Sequence, residues 1–498
     1  MKTTHNMQWI PSGLPRALRF GLAATALAAL TACANYAGIK SEAQALDPAK
    51  LGLAFQDPAS TGIRSAWWQG YGDGQLNGLV EQALANSPSL KLAQSRVARA
   101  QAVSEVAGAA LLPQVNAQAD VTRQLYTENG LYPAPLAGSI RNSGTLQLNG
   151  SWELDFFGKN RAALDAALGT AQAAEADAQA ARVLLATQVV QTYFQLMRSQ
   201  ARLAVSERTE AQRGETLKLV HDRVSAGLDT NLELRQAESG QPEARVQIEE
   251  HKEQIALARN ALAYLVGNPH AADNLVTPDL SVVQPFPLAG NISVDLLGRR
   301  ADVAAARWRV EAATQDVASA KAQFYPNINL VGFVGLSSIG LGRLTEAGSE
   351  QWGIGPALRL PIFDAGRLRA NLRGKTADLD AAVESYNNTV LAALRDVADQ
   401  LASMDAIRRQ QAEQVLAQQA GEGAYDISVL RYKAGLGTYL NVLTSEIIVL
   451  NQRRQKVDLQ ARLLDAQVRL VHALGGGYTA PALPAEQTAA TKSAGLVN

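Results

Sequence analysis

Two hydrophobic periods take turns along this chain. After Pro113, the apolar Val115, Ala117, Ala119 and Val121 alternate with Gln114, Asn116, Gln118, Asp120 and Thr122. In TLQLNGSWELDF, Leu146, Leu148, Trp152, Leu154 and Phe156 face one way, and Gln147, Asn149, Ser151, Glu153 and Asp155 the other. A period of two marks a strand with unlike faces. It returns more weakly at Ile328, Leu330, Val334 and Leu336, then at Trp352, Ile354, Leu358, Leu360 and Ile362. Strands are therefore expected over 113–126, 143–157, 326–337 and 351–363, with the Gly/Pro/Asn-rich segments 127–143 and 337–350 as loops.

Elsewhere the period lengthens. Leu164, Ala167, Ala171, Ala174, Ala178, Ala181 and Leu185 recur in steps of three and four, as do Tyr386, Val390, Ala393, Val397, Gln400, Met404 and Ile407. This is coiled-coil spacing, and small seam residues let helices approach closely. Long helices are expected over 159–225 and 365–433, each followed by a returning helix, 229–265 and 438–474. A helix of about 65 residues is roughly 100 Å long. Pro242, after Gly240, is expected to kink the first returning helix.

The strand pattern fits two environments equally. Ten-residue runs, apolar on one face and polar on the other, suit a membrane barrel or one sheet of a soluble sandwich. Four strands cannot close a barrel, and open sheet edges are not tolerated in lipid. Membrane strands here would have to be pooled by several chains.

The two halves also share a plan. RVSAGLDTNLEL (223–234) and RYKAGLGTYLNV (431–442) stand 208 positions apart, and fixed self-similarity marks a duplicated unit. SRVARAQAVSEVAGAALLPQVNAQ (95–118) parallels WRVEAATQDVASAKAQFYPNINLV (308–331), and WELDFFGKNRAAL (152–164) parallels RLPIFDAGRLRANL (359–372). Each twelve-residue stretch turns at Ala-Gly-Leu, that is Ala226, Gly227 and Leu228, and Ala434, Gly435 and Leu436. Glycine just past a helix end takes the left-handed conformation that stops it. Thr230 and Thr438 then stand where an N-cap starts the returning helix. On chemistry alone these are helical hairpin corners.

Composition narrows the function. The 498 residues carry 46 Lys and Arg against 46 Asp and Glu, so no general field draws nucleic acid. Aromatic residues make up 5%. No catalytic motif, such as a phosphate loop, HExxH or G-x-S-x-G, is present, and the five His and one Cys form no metal spacing. No enzyme, cofactor or metal reading is therefore supported. Past residue 33 no apolar run is long enough for a spanning helix. Before it, Lys2, Arg16 and Arg19 precede FGLAATALAALTAC, the build of a secretory signal. LTAC resembles the bacterial lipoprotein signal, in which the cysteine, here Cys33, is acylated, and Ala34 after it implies outer-membrane sorting. Acyl chains anchor by about 0.8 kcal/mol per buried CH₂.

With these elements in order, the chain resembles the TolC/OprM superfamily of outer-membrane efflux channels, in its lipoprotein (NodT-like) branch. WWQGYGDGQLNGLVEQALANSPSLKLAQSRV (67–97) is similar to the family's opening segment, DLLGRRADVAAARWRV (295–310) to its LLxRRPDVxxAE signature, and ALGGGY (473–478) to its close. Ala301 and Arg307 replace the usual Pro and Glu.

The resemblance implies a mixed α/β membrane protein. Four strands per chain would build a shared twelve-stranded β-barrel in a homotrimer, continued by a coiled-coil periplasmic tunnel. Its parts would be a signal peptide (1–32), an acylated equatorial segment (33–75), a first repeat (76–268), a linker (269–292), a second repeat (293–478) and a tail (479–498). The implied function is passive export of drugs or other small toxic solutes, with a periplasmic adaptor and an inner-membrane RND transporter as partners. Adaptor hairpins would dock on Arg223, Ala226, Gly227, Leu228, Arg431, Ala434, Gly435 and Leu436.

The pore would narrow at Leu440, Thr444 and Glu446, with Leu232 and Glu233 from the first repeat. Thr444 and Ile447 stand where the family has an Asp and an Arg, so any acidic ring would draw on Glu446, Glu233 or Glu238. Two readings compete. One is a channel serving an ABC-type or type I exporter; the other is a coiled-coil structural lipoprotein, which leaves the strands unexplained.

Overall fold

The structure, a computed structural model, describes residues 36–46, 63–286 and 299–478. Cys33, the signal peptide and the tail lie outside the described residues. The chain divides into two compact units.

The first unit combines residues 99–171 and 308–384 with the N-terminal segment through 44. Its centre is one antiparallel sheet in the order β1-β2-β3-β4, with β1 at Gln114–Leu125, β2 at Ile140–Leu154, β3 at Asn327–Ile339 and β4 at Glu350–Arg359. Strand β2 begins three residues before the expected 143 and ends three before 157. Ile140, Arg141 and Asn142, assigned to a loop from their neighbours, pair with Leu125, Gln124 and Arg123. Strand β4 stops at Arg359, short of the expected 363, where its partner β3 begins at Asn327.

Register sorts the side chains. Directly opposed residues share a face, so Val115, Ala117 and Ala119 join Leu146, Leu148 and Trp152, then Leu330 and Val334, then Trp352 and Ile354. The opposite face carries a polar chain. Asn149 donates to Gln118 at 3.1 Å, Gln147 to Asn149 at 2.9 Å, and Gln351 to Gln147 at 2.9 Å. Gly335 is required here, since a Cβ would stand 2.3 Å from the Leu146 carbonyl oxygen.

Each second strand leads into a 67-residue helix, α3 at Lys159–Ser225 and α6 at Arg367–Lys433. Asp155 and Asp364 cap them by accepting from the Arg161 and Leu368 amides, both at 2.8 Å. Helix α6 begins two residues after the expected 365, because Ala365 and Gly366 take left-handed φ of 54° and 84°. The short helices α2 (Pro88–Ala109) and α5 (Ala301–Ala322) precede β1 and β3. An N-terminal strap lies along α6: Asp380 accepts from the Ser41 hydroxyl at 2.5 Å and from the Glu42 and Ala43 amides at 3.2 and 3.3 Å.

The second unit holds the remaining helical length. Its returning helices are α4 (Asn231–Val266) and α7 (Tyr439–Ala473), and helix α1 (Gly74–Asn86) is capped by Asp73. Its largest core packs Trp67, Trp68, Leu76 and Val80 against Val189, Tyr193 and Met197 of α3 and Leu262 of α4. Pro242, where a kink is expected, lies inside helix α4.

The seam expected on α3 is only half-buried through Ala181. The fully buried positions are Ala162, Ala166, Ala173 and Ala176, one to two residues away. With alanine at eight of the fifteen positions from 162 to 176, composition does not choose between phases; packing does. On α6 the expected seam fares better, with Val390, Ala393, Met404 and Ile407 buried. Among the described residues, no helix is long and apolar enough to cross a membrane.

Candidate functional site

The two Ala-Gly-Leu corners close alike. Gly227 and Gly435 both have φ of 73°, and the Leu228 and Leu436 amides reach back to the Arg223 and Arg431 carbonyls at 2.9 and 2.8 Å. These are left-handed helix stops. Each leaves a leucine in solvent, Leu228 at 64% and Leu436 at 70% exposure. Ala226 and Ala434 are exposed beside them. Helix α4 then starts with a full capping box: Thr230 accepts from the Leu232 amide at 3.2 Å, and Glu233 accepts from the Thr230 amide at 2.9 Å. Thr438 is the N-cap of α7 but makes no side-chain cap bond. Its third position is Asn441, too short to complete the box.

The arginines differ. Arg223, expected to face a partner, is turned inward with its side chain 13% exposed. It donates from Nε to Asp229 at 2.8 Å and from Nη1 to the Tyr432 carbonyl at 3.1 Å. The Tyr432 hydroxyl donates to the same Asp229 carboxylate. Hydrogen bonding from Arg223 holds the Asp229 carboxyl below its usual range, while burial, then the Asp229 acceptor, pushes the Tyr432 hydroxyl above that of an ordinary phenol. Arg223 therefore binds the two corners to each other. Arg431, by contrast, is exposed and donates to the Leu436 carbonyl at 3.2 Å.

Above the corners the helices are joined by enclosed ion pairs. Glu446, expected in the pore, is buried against Arg213 at 3.2 Å, and Arg213 also meets Glu243 at 3.0 Å. The Glu446 charge is met within the chain by Arg213. Arg453 grips Glu422 with two bonds of 2.9 and 3.1 Å, which holds the Glu422 carboxyl at about 2. Glu233 is committed to its cap, and Glu238 pairs with Arg235 at 2.7 Å. At the start of α7, Leu440, Asn441, Thr444, Ile447 and Ile448 are exposed; Leu440, Thr444 and Ile447 form one face in steps of four and three, free of charge, with Leu232 exposed on α4. Among the described residues, no cluster of His, Cys, Asp and Glu could hold a metal ion.

Asp229, Tyr432, Arg213 and the Glu422–Arg453 pair escaped the sequence reading. Only Asp229 left a signal there, as the residue that faces Gly437 when the two twelve-residue stretches are aligned.

A sheet with an apolar face, continued by paired 67-residue helices that end in matched corners, defines a barrel-and-tunnel channel protein. Residues 79–268 and 292–476 match the outer membrane efflux protein family, and the chain belongs to that family. It is 40% identical over 346 residues to the fusaric acid resistance protein FusA of Burkholderia cepacia, covering 68% of this chain and 64% of that protein. It is 33% identical over 468 residues to the multidrug resistance outer membrane protein MdtP of Escherichia coli strain K12, covering 91% and 94%. The outer membrane protein VceC of Vibrio cholerae superposes with a TM-score of 0.78 at 38% identity, over 83% of this chain and 99% of that one. The expected fold class, a barrel with a helical tunnel, and the expected function, an outer membrane channel for efflux, therefore stand.

Proposed function

We propose that three copies of this chain pool their strands into one twelve-stranded barrel and let small toxic solutes pass outward without energy input of its own. The drive would come from an inner-membrane transporter of the RND type, coupled through a periplasmic adaptor whose hairpins dock on the exposed corners. The chain does no chemistry on its cargo. Antibiotic-like compounds are the first cargo to test, given the names of FusA and MdtP. Cys33 carries the acyl anchor, in support of which LTAC is the signal. The neck is an uncharged ring of Leu440, Thr444 and Ile447, so cargo is sorted there by size more than by charge.

The observation that carries this reading is the sheet. Strands β1 and β4 stand at its two edges, and Val115, Trp352, Ile354 and Leu358 of its apolar face are all exposed. Lipid tolerates no open edge, so β1 of one copy must pair with β4 of the next. The test is the detergent-corrected mass of the protein extracted from outer membranes. A mass three times that of the acylated chain is expected. A stable monomer would sink the pooled barrel.

A further inference from the structure

The two corners are copies with one counterion missing. Arg223 and Arg431 occupy the same position, and six residues on stand Asp229 and Gly437. In the first corner the aspartate takes the guanidinium at 2.8 Å. In the second, Arg431 uses an N–H on the Leu436 carbonyl. Among the described residues no carboxylate comes within ion-pair distance of Arg431 or of the exposed Lys433. Space does not explain the glycine. A Cβ on Gly437 would meet the Arg431 Cβ at 3.5 Å, an ordinary contact, and its φ is not left-handed. The helix dipole favours cations at this end of α6, which accounts for the charge but not its surroundings. Leu430 and Leu436 are 65% and 70% exposed nearby in the chain, and arginine is among the residues enriched in binding hot spots.

We propose that the second corner is completed in trans: Arg431 takes a carboxylate, from an Asp or Glu at the turn of the partner's helical hairpin, in the role Asp229 plays in the first. This rests on the docking reading above. The first corner presents Leu228 and Leu232 with its arginine already neutralised. A partner therefore meets one apolar and one cationic corner on each chain, and the difference sets its register.

The test is selection of displayed, disulfide-stapled helical hairpins with randomised turns on the full acylated chain in detergent. Hairpins retained by the wild type are expected to carry Asp or Glu at one turn position and to lose at least about tenfold in retention on Arg431→Gln. Gly437→Asp, which supplies the carboxylate in cis, should lose the same hairpins, and Gly437→Ala should keep them. The double variant Leu228→Ser, Leu436→Ser reads docking by itself. Retention that needs the leucines yet shows no acidic preference, or ignores Arg431→Gln and Gly437→Asp, overturns the carboxylate and leaves docking standing. No retained hairpin, or retention indifferent to the leucines, overturns the docking reading and this inference with it.

Discussion

The Arg223 guanidinium carbon lies 4.6 Å from the centroid of the Tyr432 ring, joining residues 209 positions apart. Asp229 closes the triangle by accepting from both. Asp229→Asn leaves an enclosed guanidinium without its counterion and should cost about 1.5–3 kcal/mol in the hairpin pair. Amide exchange at Leu228 and Leu436 in the extracted protein checks it. Asp229 titrates below its ordinary 3.8 in the folded chain. Its stabilisation is therefore complete above 3.8 and lost as pH falls through the lower folded value. Wild type and variant should differ at pH 7 and converge only below that range.

Glu422 follows the same sign with a wider window. Its carboxyl moves from 4.5 to about 2, so its contribution is present at neutral pH and fades between those values. Arg453→Met strands that carboxylate, and because Glu422 keeps about a third of its side chain in solvent, the loss should be near the low end for a broken enclosed pair, about 3 kcal/mol. Thermal unfolding at pH 7 measures it, and an unchanged midpoint would refute the pair's role.

Gly335→Ala puts a methyl 2.3 Å from the Leu146 oxygen and 2.5 Å from the Gln147 Cα. The β2–β3 pairing must shift, at about 1–3 kcal/mol or more. A smaller fraction of heat-resistant oligomer on unheated gels is the expected result.

Gly435→Val tests the corner without a clash, since no atom lies within 4 Å of the added Cβ. The left-handed φ costs about 1–2 kcal/mol for a residue with a Cβ and distorts only the corner. Drug efflux in cells should fall while the oligomer persists in the membrane. Efflux at the wild-type level with both Gly227 and Gly435 replaced would refute docking there.

Cys33→Ser should abolish incorporation of labelled fatty acid while oligomers still form. Undiminished labelling would show that Cys33 is not the attachment site.

Strand alternation and proline-free helical length were legible because both are local: each is a period read over ten to twenty neighbouring residues. The sequence by itself therefore determined four two-faced strands, two very long helices with their returning partners, and two glycine-stopped corners. Where local patterns were degenerate it could not choose. The alanine-rich stretch from 162 to 176 supports several helix faces, and only packing selected Ala162, Ala166, Ala173 and Ala176.

Charge was the least legible property. Glu446 reads as a solvated or pore-lining acid until Arg213, 233 positions away, is placed beside it. Arg223 and Arg431 align within their twelve-residue stretches, and only Asp229 opposite Gly437 hints at a difference. That Arg223 folds inward onto Asp229 and Tyr432 while Arg431 stays exposed belongs to the tertiary structure. An ion pair is settled by which side chains the folded helices bring within a few ångströms, a distance that sequence separation does not encode.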